Sequence, residues 1–456
     1  MRTLGFVTSS TGGRLVGPDL PFGDVSIDSR TLGAGALFFA LRGERLDGHE
    51  FVAAAAARGA AAAVVDHELD VALPQVVVRD TTAALAATAA AWRQRFTLPL
   101  IGVGGSNGKT TTKEMLAAIL AEAGPSLATR GNLNNHIGVP LTLLRLEAGH
   151  QAAVVELGTN HPGEVAFLTT LAVPTVGLVT NAGAEHLEGF GNLEGVARAE
   201  GELFAGLDAT ATAVVNADDA FAPLWRAMCH AGRIVTFGLG EGADFRATAI
   251  ASSIEDGRFV TRFTLATPAG AVDVSLALAG RHNVVNALGA AAAAHAAGIG
   301  LDAIVAGLGR MRPVGGRLAL VPAANGAWLI DDSYNANPDS VRAGIDVLAD
   351  LSGRHWLVLG EMAELGAHTV ASHAQAGAYA RERGVERLFA VGPTTPHAVE
   401  AFGGGAQWFA DWQALAAELR AGLAAGTTVL VKGSRMNRLE RVVGALTGVA
   451  DTGGGH

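Results

Sequence analysis

The sequence predicts an α/β protein of three domains, the central one built on a parallel sheet with helices on both faces. Three observations carry that expectation. Through 96–311, apolar strand-like runs alternate with helical stretches, the pattern of a parallel sheet covered on both sides. The alternation breaks at Met311-Arg312-Pro313-Val314-Gly315-Gly316 and then begins again. At the head of the central segment Leu98, Leu100, Ile101 and Val103 form an apolar run, a glycine turn follows, and Met115, Ile119 and Leu120 recur at helical spacing. The domains are expected at 1–95, 96–312 and 313–456.

Composition limits the class. With 456 residues, 49% hydrophobic and 17% charged, the chain is too apolar to be disordered. Its start, MRTLGFVTSSTGGR, lacks the apolar core of a signal peptide. The stretches near 53–65 and 289–299 are broken by Arg58 and His295 and are too short to span a bilayer. A single cysteine, Cys229, suits a reducing compartment. A cytoplasmic protein without membrane insertion is expected. The formal charge of −10, with no basic stripe, argues against a nucleic-acid partner. Of 33 basic residues three are lysines, Lys109, Lys113 and Lys432. Lysine differs most from arginine where a compact charge must fit between oxygens.

The chemistry starts at Gly105-Ser106-Asn107-Gly108-Lys109-Thr110-Thr111. Backbone N–H groups of such a turn and of the helix it opens point at an anion, and Lys109 adds a positive charge. Thr110 is placed to ligate Mg²⁺. The longer pattern G-x-x-x-x-G-K-[ST] would require glycine where this chain has Val103. Ligands of parallel α/β sheets lie beyond the carboxyl ends of the strands. Ala152–Val155 ends there in Glu156, and Thr175–Val179 ends in Thr180-Asn181 with Glu185-His186 beyond. Glu156 suits Mg²⁺ and His186 a second ligand position; each equally suits a hydrogen-bonded polar group at a strand end.

The remaining polar stretches leave alternatives open. Asn132, Asn134 and Asn135 in the irregular segment 129–135 offer paired donors and acceptors to a sugar or peptide amide, or form an Asx-rich turn. Asn283, before the alanine-rich helix 284–297, reads as an N-cap or as a reader of an adenine edge. Ser29 and Arg30, after the strand-like 25–27, suit an anionic ligand or a solvated loop. Beyond the linker, strands are expected at 328–330, 356–359, 388–391 and 428–431. Arg317 is a candidate phosphate ligand, Asp331–Pro338 offers carboxylates to a ribose, and Lys432-Gly433-Ser434-Arg435 ends a strand with small and basic residues.

With the phosphate turn, the segments TRGNLNNHIGVPLTLL (129–144), HLEGFG (186–191), DDSYNANPDS (331–340), LGEMAELG (359–366) and VKGSR (431–435) resemble the Mur ligase family. These are the ATP-dependent amide-bond ligases of peptidoglycan precursor synthesis. The resemblance covers nearly the whole chain in order, and the family's short turn, G-x-x-G-K-[ST], accounts for Val103. It implies a small N-terminal α/β domain for the UDP-sugar, holding Ser29 and Arg30. A central P-loop-type domain and a C-terminal Rossmann-like domain that closes over the nucleotide complete it. Residues 105–111 would bind the ATP phosphates, Thr110 and Glu156 Mg²⁺, and His186 a second metal. Asn283 would contact adenine, Asp332 the ribose, and Arg317 the phosphates after closure. Asn132, Asn134 and Asn135 would face the muramyl peptide; Asn335, Lys432 and Ser434 would serve substrate, the last two the incoming dipeptide.

The implied reaction joins D-Ala-D-Ala to UDP-MurNAc-tripeptide through an acyl phosphate, in a monomer using ATP and Mg²⁺. Lys109, His186, Glu200 and Arg317 would be catalytic. Another ligase of the family adding a single amino acid, or a P-loop nucleotide switch, is the alternative. One position departs from the family. Where a lysine in A-K-x-x-[IL]-[FY] is usually carbamylated to serve the second metal, this chain reads Ala199-Glu200-Gly201-Glu202-Leu203-Phe204. Glu200 brings a carboxylate of its own and is expected to take that role; the alternative is a surface residue beside a site that works with one metal.

Overall fold

The structure, a computed structural model, describes residues 2–43, 45–184, 187–312 and 315–447. Three sheets follow one another along the chain. The first contains β1 (Arg14–Val16), β2 (Val25–Ser26), β3 (Leu37–Phe39), β4 (Ala62–Val65) and β5 (Gln75–Val77), in the order β1-β5-β4-β3-β2. β1 runs antiparallel to β5 and the other pairs are parallel. Strand β3 is buried on both faces, with Leu37 and Phe39 packed on one side and Phe38 on the other, as the two-residue period of a strand requires.

The central sheet has nine strands: β6 (Leu100–Gly104), β7 (Ser126–Ala128), β8 (Ala152–Glu156), β9 (Val176–Val179), β10 (Thr212–Asn216), β11 (Arg233–Gly238), β12 (Phe245–Glu255), β13 (Arg258–Thr267) and β14 (Gly270–Leu276). Their order is β14-β13-β12-β11-β10-β9-β6-β8-β7. From β7 to β12 the pairing is parallel, as expected from the alternation of strands and helices. The outer three strands form an antiparallel meander instead. Its cause is local. Asp256 and Gly257 both take left-handed φ (49° and 71°), the geometry of a two-residue hairpin turn, and Phe259, Thr261, Phe263 and Leu265 on β13 are buried at alternate positions.

β6 lies between β8 and β9, so the chain leaves β6 toward one side of the sheet and later returns on the other. The crevice beyond such a switch point is where ligands bind in this architecture. The helix Lys109–Ala123 packs Met115, Leu116, Ile119 and Leu120 against Ile101 and Val103. The helix Arg281–Ala296 packs into the same core through fully buried alanines 290–294, whose small side chains admit it close to the sheet.

The third sheet contains β15 (Ala319–Pro322), β16 (Trp328–Asp332), β17 (Arg354–Leu359), β18 (Arg387–Val391), β19 (Ala406–Phe409) and β20 (Thr427–Lys432), ordered β15-β16-β20-β17-β18-β19. β15 is antiparallel to β16 and the rest are parallel. The α/β class in three sheets is therefore as the sequence predicts. Among the described residues no helix is long and apolar enough to cross a membrane.

Candidate active site

The turn after β6 is held from several directions. Gly105 (φ 115°) and Gly108 (φ 87°) are left-handed, and a Cβ would overlap the Thr180 hydroxyl at the first and the Asn286 amide at the second. The Ser106 N–H donates to the Asn181 carbonyl (2.9 Å), and the Asn107 N–H to Asn181 Oδ1 (3.0 Å). In return the Asn107 carbonyl accepts from Thr180 Oγ1 (2.7 Å) and Asn181 Nδ2 (2.8 Å). Beneath the turn, the Gly105 N–H donates to Glu200 Oε2 at 2.6 Å. Lys109 Nζ donates to the carbonyls of Gly105 and Ser106. These bonds fix the cradle before any anion arrives.

Glu156, 2% exposed, ends β8 beside the turn. Its Oε1 accepts from Asn134 Nδ2 (2.9 Å) and from the Thr110 hydroxyl (3.3 Å). Its Oε2 is buried with no hydrogen-bond partner among the described residues. A buried carboxylate oxygen left in that state is costly unless something of positive charge completes it.

The C-terminal domain forms the opposite wall of a cavity of about 830 Å³. Arg317 Nη2 donates to Thr110 Oγ1 (3.3 Å), and its guanidinium lies over the Tyr334 ring at 4.4 Å. Asn337 Nδ2 donates to Asn107 Oδ1 (2.8 Å), and the Ala184 N–H to Asp339 Oδ2 (3.1 Å). Lys432 Nζ, at the end of β20, pairs with Asp332 Oδ2 at 2.5 Å at the end of β16. Burial pushes the Asp332 carboxyl up against the pull of that ammonium. His282 is held down to about 4 by burial first and the Lys432 charge second, so the imidazole is neutral.

The predicted residues fall into three groups. The cavity wall brings together Ser106 through Thr111, Asn132, Asn134, Glu156, Asn283, Arg317, Asp332, Asn335 and Lys432. Asn283 lies inside the helix whose N-cap is Gly280; its Nδ2 donates to the Ala279 carbonyl (2.8 Å). Gly105, in the turn, and Glu200, beneath it, are not on the wall. Asn135 Oδ1 accepts the N–H groups of Ile137 (3.1 Å) and Gly138 (2.9 Å), closing an Asx turn. Buried Ser434 accepts the Ala363 N–H (2.7 Å) and is not on the wall. Ser29 and Arg30 follow β2 in the first domain, Ser29 buried and Arg30 exposed and paired with Asp28 (2.8 Å). His186 and Glu185 lie outside the described residues.

Several wall residues carried no expectation: Asn286, Tyr334 and Asp339. Asn286 has a local signal, since it stands three residues after Asn283 on the same helical face. Asn337 and Asp339 reach across the cleft, 230 and 155 residues from their partners, a pairing no local pattern announces.

Comparison with known proteins agrees with this arrangement. Residues 103–294 match the Mur ligase middle domain, 316–435 the Mur ligase glutamate ligase domain, and 22–95 the Mur ligase family catalytic domain. The chain belongs to the Mur ligase family. Within that family it is 45% identical over 447 residues to the UDP-N-acetylmuramoyl-tripeptide–D-alanyl-D-alanine ligase of Escherichia coli K12, covering 97% of this chain and 98% of that one. The crystal structure of MurF from Acinetobacter baumannii superposes with a TM-score of 0.90 at 36% identity, covering 97% of each chain. A Thermotoga maritima MurF ligase solved in complex with ADP gives 0.80 at 26% identity, covering 92% of this chain and 96% of that one.

Proposed function

We infer that this Mur ligase joins D-alanyl-D-alanine to UDP-N-acetylmuramoyl-tripeptide at the expense of ATP. The observation that carries the reading is the cavity itself. A phosphate cradle, a carboxylate with one oxygen uncommitted, and an arginine from the opposite domain converge there, with Asn132 and Asn134 alongside. The relatives that match over nearly the full chain bear that activity in their names.

The chemistry follows from the parts. A carboxylate is a poor electrophile, so the tripeptide's terminal carboxylate oxygen attacks the γ-phosphorus and ADP leaves. The amine of D-Ala-D-Ala then attacks the acyl carbon, phosphate departs with the C–O electrons, and the amine gives up a proton. Lys109 and Arg317 offset the charge on the transferring phosphoryl group. Glu156 Oε2 and the Thr110 hydroxyl are hard oxygen donors, and their fit is to Mg²⁺. When bound there, the ion neutralises charge on the β- and γ-phosphates. Asn283, His282 and Asp332 line the same cavity, and their proposed work is to receive the base at Asn283 and the ribose at Asp332. Closure of the C-terminal domain keeps water from the acyl phosphate.

Glu200 has one oxygen committed to the turn. Its proposed work is to seat that turn, and a place on a second metal would be shared with His186. Ser29 and Arg30 belong to the proposed UDP-sugar domain, and Ser434 acts by holding the 360–366 loop through Ala363.

ADP release tests the whole reading. We expect it to require UDP-MurNAc-tripeptide and D-Ala-D-Ala together, with a new amide in the product. Equal turnover with single amino acids would assign another ligation. ADP release without an acceptor, and no amide, would make the chain a nucleotide switch.

A further inference from the structure

Lys113 takes no part in the chemistry above. It stands one turn after Lys109 on the helix Lys109–Ala123, wholly buried at 0% exposure and off the cavity wall. A buried ammonium is costly unless its donors are met. Lys113 Nζ donates to the Glu114 carboxylate and to the Thr129 carbonyl (3.0 Å).

Thr129 is a junction. Its N–H donates to the Val154 carbonyl (3.1 Å), and its Oγ1 accepts the Glu156 N–H (3.0 Å). It is also where the chain leaves β7 for the segment carrying Asn132 and Asn134. Asn134 donates to Glu156 Oε1, and its own carbonyl accepts the Gly158 N–H (2.8 Å). We propose that Lys113 is a positioning residue for the ligation. By holding the Thr129 carbonyl it sets where the 130–135 segment leaves the sheet, and through Thr129 and Asn134 it fixes the rotation of the Glu156 carboxylate. The inference rests on the reading of Glu156 as a Mg²⁺ ligand. It accounts for a lysine at a buried position in a chain that otherwise writes arginine. The flat, wide guanidinium does not fit a fully enclosed site where one carbonyl and one carboxylate oxygen are the acceptors.

The test is Mn²⁺ affinity of the ADP-bound enzyme by electron paramagnetic resonance, alongside KM for UDP-MurNAc-tripeptide and the thermal midpoint. Methionine matches the lysine stem, so Lys113→Met is expected to unfold within a few degrees of the parent. It should bind Mn²⁺ about tenfold more weakly, the scale of losing an outer-shell partner, with KM raised. Lys113→Gln keeps an N–H donor for the carbonyl and should recover part of the loss. Parent-like Mn²⁺ affinity in Lys113→Met overturns the proposal. So does an equal loss in Met and Gln that tracks the thermal midpoint. Should Lys113→Met fail to fold, Thr129→Val decides, since it spares the lysine and its carbonyl and cuts the link to the Glu156 amide. Parent-like Mn²⁺ binding there overturns the proposal. No Mn²⁺ binding by the parent overturns the Glu156 reading itself, whereas parent binding with indifferent variants overturns only the role of Lys113.

Discussion

Glu200 is buried at 1% exposure, and its Oε2 accepts a backbone N–H of the phosphate turn at 2.6 Å. Glu200→Ala leaves the Gly105 N–H unmet in a buried place, a cost of about 1–3 kcal/mol. We expect a lower thermal midpoint and a fall in kcat/KM for ATP. Glu200→Gln still offers a carbonyl to that N–H and should fall less. Parent-like turnover in Glu200→Ala would remove any part for the residue in catalysis. The sequence made the carboxylate visible as a departure from a family frame, but gave no sign of its backbone partner. Gly105 lies 95 residues away and meets it by tertiary packing alone. Lys109 and Thr110 were legible for the opposite reason, since a strand, a turn and a helix set their geometry within a dozen residues.

Among the elements, the helix Arg281–Ala296 carries a titratable group into the site. His282, half-buried at the cavity edge, has its pKa held at about 4, below the unfolded value near 6.5. Between those values the unfolded chain takes up a proton that the folded chain refuses. Stability is therefore full above pH 6.5 and falls as pH drops toward 4, by about 2 kcal/mol from this residue. Urea unfolding at pH 7 and pH 4.5 should show that loss, and His282→Asn should flatten it. The meander β12–β14 is the element where sequence reading and structure part. Its Asp256-Gly257 turn and alternating burial are a clear hairpin pattern, hidden inside a segment read as uniform strand–helix alternation. A half-exposed strand offers no apolar run, which is the signal that found β6, β8 and β9.

At the scale of the molecule, the site exists because two domains touch. Arg317–Thr110, Asn337–Asn107 and Asp339–Ala184 join the C-terminal domain to the phosphate turn and its neighbour loop. Asn337 also caps the helix Pro338–Ala349, so Asn337→Ser keeps a cap while losing the reach across the cleft. One neutral hydrogen bond is worth about 1 kcal/mol, or about fivefold in a binding constant. We expect ADP to bind about fivefold more weakly to Asn337→Ser, with small-angle scattering showing a wider particle and the thermal midpoint little changed. The three-sheet plan was readable from the break at 311–316. Which residues would cross the cleft was not, since cross-domain register leaves no trace in periodicity.

The scarcity of lysine has a practical side. Lys113 and Lys432 are sealed from solvent (0% and 2% exposed), which leaves Lys109 as the accessible side-chain amine. An acylating reagent applied to the folded protein thus meets, among the lysines, the one in the nucleotide cradle. Coupling to an activated-ester surface through a lysine would silence the enzyme, and one labelled peptide would report whether the cradle was filled.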